Sequence, residues 1–192
     1  MAGSKPPRQA AAPVRALQQP ASAEEAENSV PASWLLGQAQ ALYADSAQPG
    51  GARWLVLADT PAAALHAPVF EGDAGKLLGA MLRAARLPQA GAVLFAPLVR
   101  PAAAATQELP AALSALIAHA RPDVVLVMGR LAALALLPSG EPFGKLRGKI
   151  HTLHGAKTVV TYDAAYLLRK PEDKAGAWSD LCLAMRLAAP AP

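Results

Sequence analysis

Short apolar runs alternate with segments of helical periodicity along most of the chain. Four runs have the length of buried strands, and they cover residues 53–58, 92–95, 122–128 and 157–161. Four further segments carry apolar residues at the spacing of amphipathic helices, and they cover residues 73–87, 110–120, 129–137 and 171–187. Strands that alternate with helices predict a parallel sheet with helices on both faces.

We therefore expect an α/β fold, a three-layer α/β/α domain with a four-stranded parallel sheet. Ligands of such sheets bind beyond the carboxyl ends of the strands. In this chain the four ends lead into Asp59, Pro97, Gly129 and Asp163. The sequence therefore predicts that these four residues meet at one edge of the sheet.

The N-terminal part of the chain differs from the rest. Residues 1–31 are rich in Ala, Pro, Gln and Glu, and they cannot bury enough apolar surface to offset their ordering entropy. We expect a disordered arm there, followed by one domain over residues 32–189. Residues 33–43 have the spacing of a short amphipathic helix, with Ser33 as its N-cap.

Composition limits the cofactor and the compartment. Cys182 is the single cysteine, so it forms no intrachain disulfide and cannot ligate a four-thiolate iron–sulfur cluster. We expect neither a cluster nor another metal. No apolar run approaches the roughly 20 residues of a membrane-spanning helix, and no apolar signal-peptide core opens the chain. These features predict a cytoplasmic protein without a membrane partner.

The basic residues are concentrated in one segment. Residues 145–174 contain seven Lys or Arg and three Asp or Glu, which equals the net charge of +4 of the whole chain. Basic side chains around loops are what a phosphate backbone would meet, so DNA is a candidate partner. A solvated surface without a partner is the alternative.

Several segments resemble family 4 uracil-DNA glycosylases, over about residues 53–187. They are Ala58–Ala62, Pro122–Arg130, Leu146–His151 and Tyr166–Arg169, the last being the Tyr-Leu-Leu-Arg half of a His-Pro-Ala-Tyr-Leu-Leu-Arg run. The resemblance implies the fold of that family. It also implies a chemistry in which uracil is flipped out of the DNA stack and its glycosidic bond is hydrolysed.

The resemblance also shows departures at the positions that carry this chemistry. Asp59 and Asp163 match the family's catalytic positions, but Asp163 replaces a histidine and puts negative charge where a leaving anion needs a donor. Pro97 stands at the place of a uracil-reading asparagine and offers no donor. Phe70 matches a base-stacking phenylalanine, with a loop residue capping the core as the alternative. Further base or DNA contacts are expected from Arg147, Lys149, His151, Tyr166 and Arg169.

Three interpretations stay open. The first is a degenerate, catalytically inactive glycosylase-like protein that serves DNA replication or repair as a binding or scaffolding subunit. A weaker resemblance to the psi subunit of the bacterial DNA polymerase III clamp-loader assembly favours it, and implies that the N-terminal arm holds a replication or repair protein. The second is an active uracil-DNA glycosylase in which Asp59 orients water and Phe70 stacks the base. The third is a structural protein without DNA contact.

Overall fold

The computed structural model describes residues 34–100, 109–137 and 139–189. Within these ranges the strands are β1 (Leu35–Leu36), β2 (Gln40–Leu42), β3 (Arg53–Thr60), β4 (Ala92–Val99), β5 (Val124–Met128), β6 (Ile150–Leu153) and β7 (Ala156–Thr161). The helices are α1 (Gly72–Ala84), α2 (Leu109–Ala120), α3 (Arg130–Leu136), α4 (Phe143–Leu146), α5 (Ala164–Arg169) and α6 (Lys174–Ala188). None of these helices is long and apolar enough to cross a membrane.

The strands form one mixed sheet with the order β1-β4-β3-β5-β7-β6, and β2 also pairs with β4. The four predicted strands are present as β3, β4, β5 and β7, and they are parallel to their neighbours among these four. The expectation of a four-stranded parallel sheet is nevertheless wrong, because the sheet has seven strands in the described part of the chain. The three additional strands are antiparallel and extend both sides of the parallel centre.

A tight hairpin accounts for the additional strand in the second half of the chain. Leu153 pairs with Ala156, so only His154 and Gly155 connect β6 to β7. Both loop residues have positive φ, 45° and 83°, which is the backbone that a type I′ hairpin turn requires. The histidine–glycine pair therefore adds an edge strand that the apolar pattern does not reveal.

The helix predicted over residues 33–43 is also wrong, because the described part of that segment forms β1 and β2. The two strands pair with different halves of β4, and the break between them falls opposite Pro97, which has no N–H to donate. Gly37 bridges the break by donating from its N–H to the carbonyl oxygen of Pro97 at 2.8 Å. The predicted cap Ser33 and the predicted arm lie outside the described residues.

Helices cover both faces of the sheet, as the three-layer prediction requires. Successive side chains of a strand point to opposite faces. Val56 of β3 therefore belongs to a core cluster with residues of α1, α5 and α6, while Leu57 belongs to a cluster with residues of α2 and α3. All five residues of β5 are fully buried. Burying each such side chain contributes roughly 1.5–3 kcal/mol, so this central strand fixes the register of its neighbours.

Candidate functional site

Three strand ends converge at the carboxyl edge of the sheet. Asp59 lies at the end of β3, Gly129 follows β5, and Asp163 follows β7. Gly129 has a φ of 111°, and a Cβ atom there would lie 2.7 Å from the Cβ of Asp59 and 3.4 Å from Oδ2 of Asp163. Only glycine fits this position without moving its neighbours. The aspartates Asp59 and Asp163 lie on either side of it.

Asp163 has a structural role that a histidine would fill poorly. It is the N-cap of α5, and its Oδ1 accepts a hydrogen bond from the backbone N–H of Tyr166 at 2.7 Å. An N-cap aspartate typically stabilises a helix by about 1 kcal/mol. This hydrogen bond fixes the position of the Asp163 carboxylate at the carboxyl edge of the sheet.

Asp59 lies in a less favourable environment for a charge. Burial, together with the neighbouring negative charge of Asp163, raises its pKa to about 6, while Arg100 opposes both effects. No described residue donates a hydrogen bond to its side chain. The edge therefore holds one carboxylate fixed by a backbone N–H and one whose oxygens have no such partner.

A first pocket of about 220 Å³ opens beside these carboxylates. Its polar side chains are Gln40, Asp59, Thr60, Glu71 and Asp163, and the rest of its lining is mainly apolar. Buried Phe95 and Pro97 of β4 form part of one wall. The volume is below the roughly 300–1,000 Å³ of pockets for drug-sized ligands, and it suits a single heterocyclic ring system.

A second pocket of about 380 Å³ adjoins the first. The two pockets share part of their lining, and the shared residues are Asp59, Thr60, Pro61, Asp163 and Ala165. The second pocket adds two basic residues, Arg100 and Arg169. The two pockets thus form one composite site with an apolar end, a carboxylate-lined middle and a basic end.

Phe70 does not line either pocket. Its ring stacks on Tyr43 with a centroid distance of 5.8 Å and an interplanar angle of 26°, and it packs against the core beside α1. This placement agrees with the alternative in which Phe70 caps the core. Its stacking on a base stays a prediction.

Arg147 is bound inside the protein. Its Nε and one terminal nitrogen each donate to Oδ2 of Asp180 at 2.8 Å, and its guanidinium carbon lies 3.8 Å from the centre of the Tyr162 ring. The side chains of Arg147 and Asp180 are only 15% and 3% exposed. Burial raises the pKa of Asp180, while the hydrogen bonds from Arg147 lower it. These contacts leave little of Arg147 for a phosphate.

The other predicted contact residues are spread along the surface. Lys149 pairs with exposed Glu141 at 3.3 Å, and Nε2 of His151 donates to the carbonyl oxygen of Leu146 at 2.7 Å. The Tyr166 ring stacks on Tyr162 at 4.7 Å. Its hydroxyl donates to Asp173 at 2.6 Å, and this bond raises the pKa of Tyr166 to about 12. Among the residues predicted for catalysis or for base and DNA contacts, Asp59, Asp163 and Arg169 line the composite site. Pro97, which stands at the place of the base-reading amide, lines it as well.

Among the polar residues that line the site, Gln40, Thr60, Glu71 and Arg100 were not identified from the sequence. Arg100 directly follows β4, so the rule that ligands lie beyond the strand ends marks it once the strand is extended to Val99. Gln40 belongs to β2, and the helix that was predicted for this segment would not have placed it beside β4. Among the described residues, no group of three or more metal-ligating side chains converges.

Comparison with protein families gives one match. The model of the uracil DNA glycosylase superfamily matches residues 45–182, well over half of the chain. The matched range contains both carboxylates and both arginines of the composite site. No curated protein shows significant similarity to the chain.

Proposed function

The chain belongs to the uracil DNA glycosylase superfamily, and on this premise we propose that it is a degenerate, catalytically silent member. In this proposal it serves DNA replication or repair as a binding or scaffolding subunit. The carrying observation is the pair of carboxylates, Asp59 and Asp163, on either side of Gly129. Hydrolysis of a glycosidic bond releases the base as an anion, and two carboxylates at the pocket oppose that charge.

The apolar wall supports the same proposal. Pro97 is buried, lines the first pocket, and has neither a side-chain donor nor a backbone N–H. Loss of one preorganised donor typically raises a reaction barrier by about 2.7–4 kcal/mol, which lowers the rate roughly 100- to 1,000-fold. We therefore expect that the absence of an amide and of a donor for the leaving anion keeps uracil excision below detection.

The test is uracil release from single- and double-stranded DNA at about pH 7.5. The full-length protein should release no uracil above background, and Asp163→His should serve as the variant that restores a donor at the same position. Multiple-turnover excision by the unaltered protein would refute the silent interpretation.

An active enzyme remains the second candidate because the pKa of Asp59 is raised to about 6. Below that pH the carboxyl is protonated and can donate a proton, and above it the carboxylate can orient a water molecule. Excision that appears on acidification and is lost in Asp59→Asn would favour this candidate, with Phe70 as the proposed stacking residue. Absence of excision from about pH 5 to pH 8 would remove it.

The scaffolding role rests on the sequence. We propose that residues 1–31 hold a replication or repair protein, in the manner that the weaker psi-like resemblance implies, in the cytoplasm and without an iron–sulfur cluster. A pull-down with the full chain and with residues 32–192 separates the arm from the domain. Recovery of the same replication proteins by both would contradict the role of the arm.

A further inference from the structure

The two pockets differ in chemistry in the same order as the parts of a nucleotide. The first pocket is mainly apolar and has the size for a base. The second contains Arg100 and Arg169. In any nucleotide the sugar lies between the base and the phosphate, so the wall that the pockets share corresponds to the sugar position.

The basic end suits a phosphate group. Arginine guanidinium groups bind phosphate through paired N–H donors and stay charged at all relevant pH values. Arg169 uses one terminal nitrogen to donate to the carbonyl oxygen of Ala165 at 3.0 Å, and its side chain is exposed on the pocket. Arg100, which directly follows β4, lines the same pocket. A phosphate at this end would meet the positive charges of both arginines, which offset the two carboxylates of the shared wall.

The shared wall presents hydrogen-bond acceptors. Ionised Asp59 and Asp163 only accept, and Asp163 uses one oxygen for the N–H of Tyr166. The hydroxyl of Thr60 donates to the carbonyl oxygen of Ala58 at 3.0 Å, so its oxygen is also left as an acceptor toward the pocket. A ligand segment at this wall therefore has to supply donors.

Hydroxyl groups on the sugar are the donors that fit. A deoxyribose inside a DNA strand has no hydroxyl group, whereas a ribose carries the 2′-hydroxyl, which carboxylates bind in other nucleotide sites. A cationic ligand would also satisfy the acceptors, but Arg100 and Arg169 in the adjoining pocket would repel it.

We propose that the composite site binds a ribonucleotide, with its base in the first pocket, its sugar hydroxyls on Asp59 and Asp163, and its phosphate between Arg100 and Arg169. This inference rests on the proposed function in so far as it treats the site as a binding pocket and not as a reaction centre. The ligand is a free nucleotide or a nucleotide of an RNA strand, since both present a base, a 2′-hydroxyl donor and a phosphate.

Calorimetric titration of the full-length protein tests the three parts separately. UMP and AMP probe the whole site, their 2′-deoxy counterparts remove the 2′-hydroxyl donor and keep the 3′-hydroxyl, and uridine and adenosine remove the phosphate. We expect at least one of UMP and AMP to bind at least about tenfold more tightly than its deoxy counterpart, the factor of one hydrogen bond to a charged group. The nucleoside should be weaker than the nucleotide by a similar factor.

Variants assign the contacts. The double variant Arg100→Ala/Arg169→Ala should lose the advantage of the nucleotide over the nucleoside, and Asp59→Asn should reduce the preference for ribose. Arg186→Ala on α6 removes one positive charge from an exposed position away from the pockets and should leave all affinities unchanged. Circular dichroism of each variant checks that it is folded.

Two outcomes overturn the inference. One is equal binding of ribo- and deoxyribonucleotides, and the other is no saturable binding of UMP or AMP at millimolar concentration. Binding of a short RNA more tightly than of the free nucleotide identifies a strand as the source, and the reverse identifies a free nucleotide. Uracil release from DNA is measured on the same protein. Detectable release would contradict the proposal of a silent enzyme, whatever the result of the nucleotide titrations.

Discussion

At the residue scale, Gly129 decides how close the two carboxylates of the site can come. It lies between Asp59 and Asp163 and has a φ of 111°. A Cβ atom added to it would lie only 2.7 Å from the Cβ of Asp59. Backbone strain and steric overlap therefore act together at one residue. The site depends on the absence of a side chain as much as on the side chains that are present.

Gly129→Ala should destabilise the protein by about 2–6 kcal/mol, since a backbone with φ of 111° and ψ of 147° costs a non-glycine residue roughly 1–3 kcal/mol and overpacking typically adds 1–3 kcal/mol. Gly140→Ala is the matched control, because Gly140 has a φ of 64° and its added Cβ would have no atom within 4 Å. It should cost only the strain, about 1 kcal/mol. Urea denaturation measures both, and equal losses would contradict the overlap with Asp59.

The raised pKa of Asp59 predicts a pH dependence of stability. Its pKa rises from 3.8 to about 6 on folding, so the folded state binds the proton more tightly. This contribution to stability is complete below the unfolded pKa and is lost as the pH rises through about 6. A shift of two units equals about 3 kcal/mol, and solvent screening of the partly exposed carboxyl reduces it to about 1 kcal/mol.

Asp59→Asn should remove that pH dependence, with the difference from the unaltered protein growing from about pH 4.5 to pH 7.5 in favour of the variant. The groups that face Asp59 are Asp163, Arg100, Glu71 and Arg169, and all of them are retained. Asp73→Asn on the exposed start of α1 is the control. If Asp59→Asn and Asp73→Asn both show the pH profile of the unaltered protein for the free energy of unfolding, the raised pKa of Asp59 is wrong.

The sequence located half of this site. Asp59, Gly129 and Asp163 follow from strand ends, which apolar runs mark well. Gln40 and Arg100 do not, because their positions depend on which edge β2 takes and on how far β4 continues past Pro97. Such pairing is decided by contacts between distant segments and has no local signal.

At the element scale, the ion pair of Arg147 and Asp180 ties the segment after α4 to helix α6. Asp180 also accepts from the backbone N–H of Gly148 at 3.2 Å, and Arg147 lies on the ring of Tyr162, next to Asp163. The link therefore supports the chain on which one of the two carboxylates lies.

Arg147→Ala should lower the free energy of unfolding by about 3–5 kcal/mol, because it leaves the buried charge of Asp180 without its partner. Lys149→Ala is the matched control, since its ion pair with Glu141 is exposed and should contribute at most about 1 kcal/mol. Arg147→Lys should also be destabilising, because lysine replaces neither the two bonds nor the ring contact. Equal effects of Arg147→Ala and Lys149→Ala would contradict this role.

The elements themselves show which sequence signals were sufficient. Helices α1, α2 and α6 have three or more turns of apolar spacing, and the structure has them within a few residues of the predicted positions. Strands β1, β2 and β6 have two to four residues, which is too short for a period to be recognised. Of these, only β6 had a usable local signal, the two-residue turn at His154 and Gly155.

At the scale of the whole molecule, the small net charge of +4 predicts that any DNA affinity is weak. That affinity should depend strongly on salt, because each phosphate neutralised by a Lys or Arg releases counterions. Lys145 in α4 and Lys149 after it are exposed, whereas Arg147 between them is paired with Asp180. The two lysines are thus the better test of a phosphate-binding surface.

Lys145→Ala/Lys149→Ala should flatten the log–log dependence of DNA affinity on salt by up to about two units, close to one for each phosphate that the variant no longer neutralises. Lys76→Ala/Arg186→Ala removes the same charge from other exposed positions and should change the slope less. Fluorescence anisotropy with a short duplex over a range of salt concentrations measures both. An identical slope in the two variants would mean that residues 145–149 do not contact DNA.

The divided edge of the sheet has a consequence for how the protein behaves in concentrated solution. Within the described part of the chain, five residues of β1 and β2 pair with the outer side of the eight-residue strand β4, and the pairing is interrupted at Pro97. If β1 and β2 dissociate from β4, the edge of a largely apolar strand becomes free to pair with a strand of a second molecule. The segment is held in place by three buried side chains, Trp34, Leu36 and Leu42. Their burial therefore protects the protein from assembling edge to edge.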